Sequence, residues 1–268
     1  MKAWPGMLEC PAFSTQPDVS CMNPTMRRPI QPRRSPVMTP DAPRKPFNAR
    51  GSFVSRCPEC RLPKLNCLCP YRVAAESRVR FWLLTHPIEH YKPTNTGRLI
   101  SHILPETEVF TWYRTEPDPR LLALLDDDRF APFVVFPDDQ ADYAERVVGP
   151  EAVDAALAGS RTPVFILLDG TWRQARRIFR RSEYLASLPV LPLKTSRLTR
   201  YRLRKAASSE HLCTAEVAAE LLRISGDAEA SAILDDYFEV FNENYASSRR
   251  DRPVEAPSGA MRRLLERR

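Results

Sequence analysis

Apolar positions follow two rhythms along this chain. Five short runs are apolar almost without a break: residues 79–84, 109–113, 133–136, 164–168 and 190–193. Such runs suit strands buried on both faces of a parallel sheet. Residues 120–125 and 151–158 instead repeat apolar side chains at helical spacing. The alternation predicts an α/β domain layered around a mostly parallel sheet.

Three further helices are expected. One follows Asp169-Gly170-Thr171-Trp172 and runs through Arg181. The second is capped by Thr214, carries Val217, Ala218, Leu221 and Leu222, and holds Glu216 in its positive first turn. The third is capped by Asp227, and Ile233, Leu234, Tyr237, Phe238, Phe241 and Tyr245 recur on one face, as core packing requires.

The ends read differently. Residues 1–50 contain ten prolines and no apolar periodicity, so they cannot bury enough surface to offset chain entropy and are expected to be a disordered tail. That tail is either inert or a loose RNA contact through its arginines. Residues 247–268 are polar and basic and are expected to fray. Between the tails lie a cysteine-rich segment, 51–75, and the α/β domain, 76–246.

At 268 residues and 43% hydrophobic, the chain can bury a sizeable core. No apolar run approaches the roughly 18–20 residues of a membrane-spanning helix. The opening MKAWPGMLECPAF is broken by prolines and lacks an export-signal layout. The expected compartment is therefore cytoplasmic, with cysteines reduced unless a metal holds them. The eight glycines stand far apart, which removes GxGxxG; no Gly-Lys-Ser/Thr phosphate loop, HExxH or GxSxG occurs either. Nucleotide sites built on glycine-rich turns, zinc proteases and α/β-hydrolases drop out. Nothing in the sequence calls for an obligate protein partner.

The charge of +7 is unevenly placed. Residues 1–56 carry +6 and residues 173–205 carry +10, with eleven Lys and Arg against Glu183 alone, so the remainder is net negative. A basic block on an otherwise acidic body points to a polyanion. Its candidate RNA-binding residues are Arg173, Arg176, Arg177, Arg180, Arg181, Arg197, Arg200, Arg202, Arg204 and Lys205. The alternative is a solvated charged face.

Cys57, Cys60, Cys67 and Cys69 form C-x2-C-x6-C-x-C. Four thiolates so close can surround Zn²⁺ and leave no position open for chemistry, making a structural site. An iron–sulfur cluster is the runner-up, ahead of two disulfides. Cys10, Cys21 and Cys213 are read as free thiols. His86 and His90 are four apart, but Pro87 between them argues for a loop rather than a ligand-bearing helix.

Asp169 ends a buried strand just before a helix, where α/β sheets place ligands. It is either a functional carboxylate or only the cap of that helix. On the helix, Trp172, Ala175, Ile178 and Phe179 share one arc. Arg173, Arg176, Arg177, Arg180 and Arg181 fill another, five guanidinium groups suited to phosphate.

Taken with His86-Pro87-Ile88-Glu89, Thr96-Gly97-Arg98-Leu99 and Leu212-Cys213-Thr214-Ala215-Glu216, these motifs resemble the DTW-domain family of tRNA-uridine aminocarboxypropyltransferases. The resemblance covers residues 57–245 and implies a fold related to the knotted SPOUT class, with residues 76–246 as the catalytic domain. It implies transfer of the 3-amino-3-carboxypropyl group of S-adenosylmethionine to N3 of a tRNA uridine, with release of methylthioadenosine. Bacterial members act in the tRNA variable loop, others in the D-loop.

Uridine N3 must lose its proton to become a nucleophile, and Asp169 is the candidate base, with Thr171 and Trp172 ordering the turn. The helix dipole and nearby arginines are expected to keep Asp169 ionised. Donor contacts are expected from Thr96, Gly97 and Arg98 and from Leu212, Cys213, Thr214 and Glu216, while Glu89 is a weaker substrate candidate. Two other classes stay open: a SPOUT-like RNA methyltransferase, and a zinc-containing RNA-binding protein without catalysis.

Overall fold

The computed structural model describes residues 54–201 and 212–268. The tail 1–50, Cys10, Cys21, Arg202, Arg204 and Lys205 lie outside the described residues. Five strands, β1 Arg80–Thr85, β2 Glu108–Thr111, β3 Phe130–Val135, β4 Thr162–Asp169 and β5 Val190–Leu191, form one parallel sheet in the order β2-β1-β4-β3-β5. Each falls on or beside a predicted apolar run. β3 and β4 start earlier than their runs because Pro132 and Pro163 interrupt the apolar pattern. Pro132 precedes the stretch of β3 paired with β5, and Pro163 precedes the stretch of β4 paired with β1.

Alternation along β1 explains why the run is continuously apolar. Phe81 and Leu83 enter one core with Phe165 and Leu167, whereas Trp82 and Leu84 enter a second with Ile166 and Leu168. Helices α2 Pro119–Leu125 and α4 Trp172–Arg181 cover the second core. The first is covered by α1 Gly97–Ile103, α3 Glu151–Ala158, α5 Thr214–Ile224 and α6 Ala228–Ser248. The result is a three-layer α/β domain. No helix among the described residues is long and apolar enough to cross a membrane.

Two capping expectations are corrected. The N-cap of α5 is Cys213, not Thr214, and Glu216 reaches back to the Cys213 N–H at 3.0 Å. Asp227 does occupy the N-cap position of α6, but its carboxylate accepts from the Ser77 hydroxyl and the Arg78 backbone and side chain instead of its own helix. It ties the entry of β1 to the helical layer.

The C-terminal segment does not fray. Ser258 caps a helix α7, Gly259–Glu266, whose Ala260, Met261 and Leu264 are buried against the first core. Arg263 closes on Asp236 of α6 with bonds of 2.6 and 3.0 Å. Three apolar positions among arginines were too few to register as a periodic pattern. The cysteine segment is equally embedded: Leu62 and Leu68 are fully buried in the first core, and the Asn66 side chain donates to the Arg252 carbonyl.

If α7 is part of the folded body, Leu264→Ala should lower stability by about 2–5 kcal/mol, the usual cost of a buried leucine. Urea denaturation measures this; a frayed tail would give a change near zero.

Candidate functional site

Strand register builds the site. Thr111, Thr85 and Asp169 are paired across β2, β1 and β4, so three polar side chains stand in a row at the carboxyl end of the sheet. Asp169 is 3% exposed. Its Oδ2 accepts from Asn95 Nδ2 at 2.6 Å and Thr85 Oγ1 at 3.3 Å, and its Oδ1 accepts from Thr214 Oγ1 at 2.9 Å. The Asn95 amide is fixed from both ends, because its Oδ1 accepts the Arg98 N–H that opens α1. Gly97 completes the fit: a Cβ there would stand 2.7 Å from the Asp169 carboxylate.

The carboxylate therefore lies against neutral donors, not against arginines as expected. Burial pushes its proton affinity above the ordinary range; the bonds from Asn95, Thr214 and Thr85 pull it back, and Glu89 nearby adds to the rise. Nor is Asp169 the cap of α4. Thr171 is, in a reciprocal box with Gln174: its Oγ1 accepts from the Gln174 N–H, and Gln174 Oε1 accepts from the Thr171 N–H at 2.7 Å. The capping alternative for Asp169 is thus corrected: the cap is Thr171.

Asp169 borders a cavity of about 560 Å³, within the size range of small-molecule sites. Leu167, Val135 and Leu193 supply apolar wall, and Thr171, Trp172 and Arg173 line it from α4. The Trp172 ring, 37% exposed, stacks on Phe136 with centroids 5.5 Å apart, and Phe136 stacks in turn on Phe179 at 4.2 Å. Of the expected donor contacts, Thr96, Leu212, Cys213 and Thr214 line this cavity. Gly97 stands behind Asp169. Arg98 turns away and donates to the His90 and Lys92 carbonyls. Cys213 is a free thiol whose proton affinity burial drives well up.

Glu216 does not face the cavity. It is fully buried and accepts from the Thr199 hydroxyl at 2.7 Å and the Arg200 N–H at 2.6 Å, besides the Cys213 N–H. Together with the bond from Thr195 to Glu220, it straps residues 195–200 onto α5 as the far wall. Arg197 and Arg200, expected to bind RNA, serve that strap too. Arg197 pairs with Asp235, and Arg200 reaches Asp235 at 3.1 Å and Glu239 at 3.7 Å.

Arg173, Arg176, Arg177, Arg180 and Arg181 make no ion pair among the described residues. Arg176 lies over Trp172 and Arg177 over Trp112, each about 5.9 Å from the ring centroid. Sequence reasoning missed Thr85, Asn95 and Phe136. Only Asn95 left a signal, an Asn three residues before a helical N–H. The substrate candidate Glu89 is fully buried and held by Lys92 at 2.6 Å. His90 bonds Thr111, and neither His86 nor His90 joins a metal-binding group among the described residues.

The four cysteines converge. Their sulfurs lie within 4.8 Å of one another, with Cys57–Cys69 at 3.7 Å and Cys60–Cys67 at 3.9 Å. A tetrahedron with metal–sulfur bonds of about 2.3 Å has edges of about 3.8 Å, so the donor set fits a tetrahedral ion. The Leu68 N–H donates to the Cys60 sulfur, the kind of outer bond that orients a thiolate ligand. The Arg61 N–H closes the first loop on the Cys57 carbonyl, which forces Arg61 into the left-handed region at φ 63°, a cost of about 1 kcal/mol.

Comparison with known proteins agrees with this geometry. The DTW domain matches residues 54–246. The chain is similar to tRNA-uridine aminocarboxypropyltransferase 2 of Macaca fascicularis and of Mus musculus, each 27% identical over 174 residues, covering 63% of this chain and 55% of the relative. It thus spans about half the length of these curated relatives. No solved structure matches it significantly. Because the matched region takes in the cysteine cluster, every strand of the sheet and the turn at Asp169, the chain belongs to the DTW-domain family.

Proposed function

We propose that the protein transfers the 3-amino-3-carboxypropyl group of S-adenosylmethionine to N3 of a tRNA uridine, with release of methylthioadenosine. The observation that carries this reading is Asp169, a buried carboxylate of raised proton affinity set against a cavity of ligand size. The names of the relatives supply the substrate class. A cytosolic setting, where tRNA is modified and thiols stay reduced, suits the proposal.

When bound, the donor supplies an electrophilic methylene beside its sulfonium. Thr96, Leu212, Cys213 and Thr214 would hold it, with Val135, Leu167 and Leu193 as apolar contacts. Asp169 Oδ1 carries one donor against two on Oδ2, leaving it an acceptor position for the uridine N3 proton. Raised basicity narrows the gap to N3, so proton transfer can accompany attack. The Trp172 ring lines the same cavity, and the α4 arginines offer phosphate contacts. The SPOUT-related knot is part of the proposal.

Incubation with unmodified tRNA and carboxyl-labelled S-adenosylmethionine should place the label on RNA and release methylthioadenosine. S-adenosylhomocysteine as product would mean methyl transfer instead, and no product would leave a binding protein. Asp169→Asn can keep the local bonds, with its carbonyl facing Asn95 and Thr85 and its amide donating to the Thr214 hydroxyl. It should fold normally and bind tRNA, yet turn over about 10²–10⁴-fold more slowly. Wild-type turnover should fall on acidification, because a protonated Asp169 cannot accept.

At the cysteine cluster we propose structural zinc. Elemental analysis should find one zinc per chain, and chelation should lower the melting temperature. A zinc-free protein, or a fully soluble Cys60→Ser/Cys67→Ser double variant, would refute it. Replacing Arg173, Arg177 and Arg180 with Gln should flatten the salt dependence of tRNA binding, as fewer counterions are released. An unchanged slope would move the contact to another surface.

A further inference from the structure

Asn95 and Asp169 also line a second cavity, of about 350 Å³, enclosed by the cysteine loop, β1, β2 and α1. Its character is the reverse of the first. Arg61, Arg72 and Arg98 border it, and none of the three has a carboxylate partner among the described residues. Arg72 donates to the His102 carbonyl and Arg98 to those of His90 and Lys92. The Arg61 side chain makes no hydrogen bond or ion pair among the described residues.

Three guanidinium groups around one small space repel each other unless an anion joins them. No carboxylate on the lining bonds any of them among the described residues. Glu59 on the lining bonds none of them, and the Asp169 oxygens are engaged by Thr85, Asn95 and Thr214. Arg61 moreover occupies a left-handed position that glycine would hold without strain.

Position selects the ligand. α4 and its arginines belong to the layer over the second core, whereas the Arg98 helix and the cysteine loop belong to the layer over the first. Two cationic groups thus flank the carboxyl end of the sheet from opposite layers, with Asp169 between them. A chain of phosphates can span both; a single carboxylate cannot. The planar guanidinium fork matches a phosphodiester.

We propose that the Arg61–Arg72–Arg98 cavity seats a phosphodiester group of the RNA acceptor, so that the strand crosses Asp169 between this cavity and α4. The proposal rests on the tRNA reading above and deepens it. The test uses the full chain and variants Arg61→Gln/Arg72→Gln and Arg61→Gly/Arg72→Gln, with unmodified tRNA binding measured across a salt series and labelled S-adenosylmethionine binding measured separately. Both variants should bind tRNA about tenfold more weakly at moderate salt, with the salt slope reduced by about one, and should bind the donor as wild type does. The glycine variant relieves the left-handed strain, so its melting temperature should not fall below that of the glutamine variant. Unchanged tRNA affinity and slope would overturn the proposal. Weakened donor binding with intact tRNA binding would also overturn it, assigning the cavity to the donor's carboxylate. Wild-type protein that fails to bind tRNA would overturn the functional reading itself.

Discussion

The site depends on one buried carboxylate and the neutral donors that converge on it. Asp169 ends β4, and its partners come from β1, from the approach to α1 and from the first turn of α5. Three segments distant in sequence meet at one side chain. Removing the carboxylate would leave the buried Thr85 and Asn95 donors without their acceptor, each costing about 1–3 kcal/mol. Gly97 records the same constraint from the backbone, since only a residue without Cβ lets α1 start this close. Asn95 makes the coupling two-way: the amide that holds the carboxylate is the amide that caps α1.

Charge is divided by the same geometry. In sequence, residues 173–205 form one basic block. In space it separates into the α4 arginines, which remain without ion pairs among the described residues, and Arg197 and Arg200, which acids of α6 absorb. Paired arginines near the surface add little to stability, of the order of a kcal/mol or less. Their effect is to hold the strap that closes the cavity, with buried Glu216 as its inner anchor. A tally of lysines and arginines cannot make that division, because it depends on which helix lies behind each residue.

Much of the fold was legible because two-sided burial leaves a continuous apolar run. All five strands and the helices α2 to α6 were found from that signal and from helical spacing. The misses share a cause. α1 is seven residues with two isoleucines and a glycine start, and α7 shows three buried positions among arginines, so neither carries enough periodicity to stand out. The cysteine cluster was legible because its four residues are close in sequence. Thr85 and Asn95 were not, because what brings them to Asp169 is the register of β1 against β4 and the start of a helix too short to predict.

The partners of Asp169 also decide what it can do. A carboxylate paired with arginine is held well below the ordinary range and is a poor base. Here the nearest cation on α1, Arg98, spends its guanidinium on two backbone carbonyls, and no arginine bonds the carboxylate among the described residues. Hydroxyl and amide donors orient Asp169 without a formal positive charge, while burial and the neighbouring Glu89 raise its affinity for a proton. Orientation and basicity usually oppose each other, since the strongest way to fix a carboxylate is an ion pair that weakens it. Neutral donors supply the orientation while burial preserves the basicity. That is why the turn needs Thr85, Asn95 and Thr214 around its aspartate, and why the arginines stand in the flanking layers.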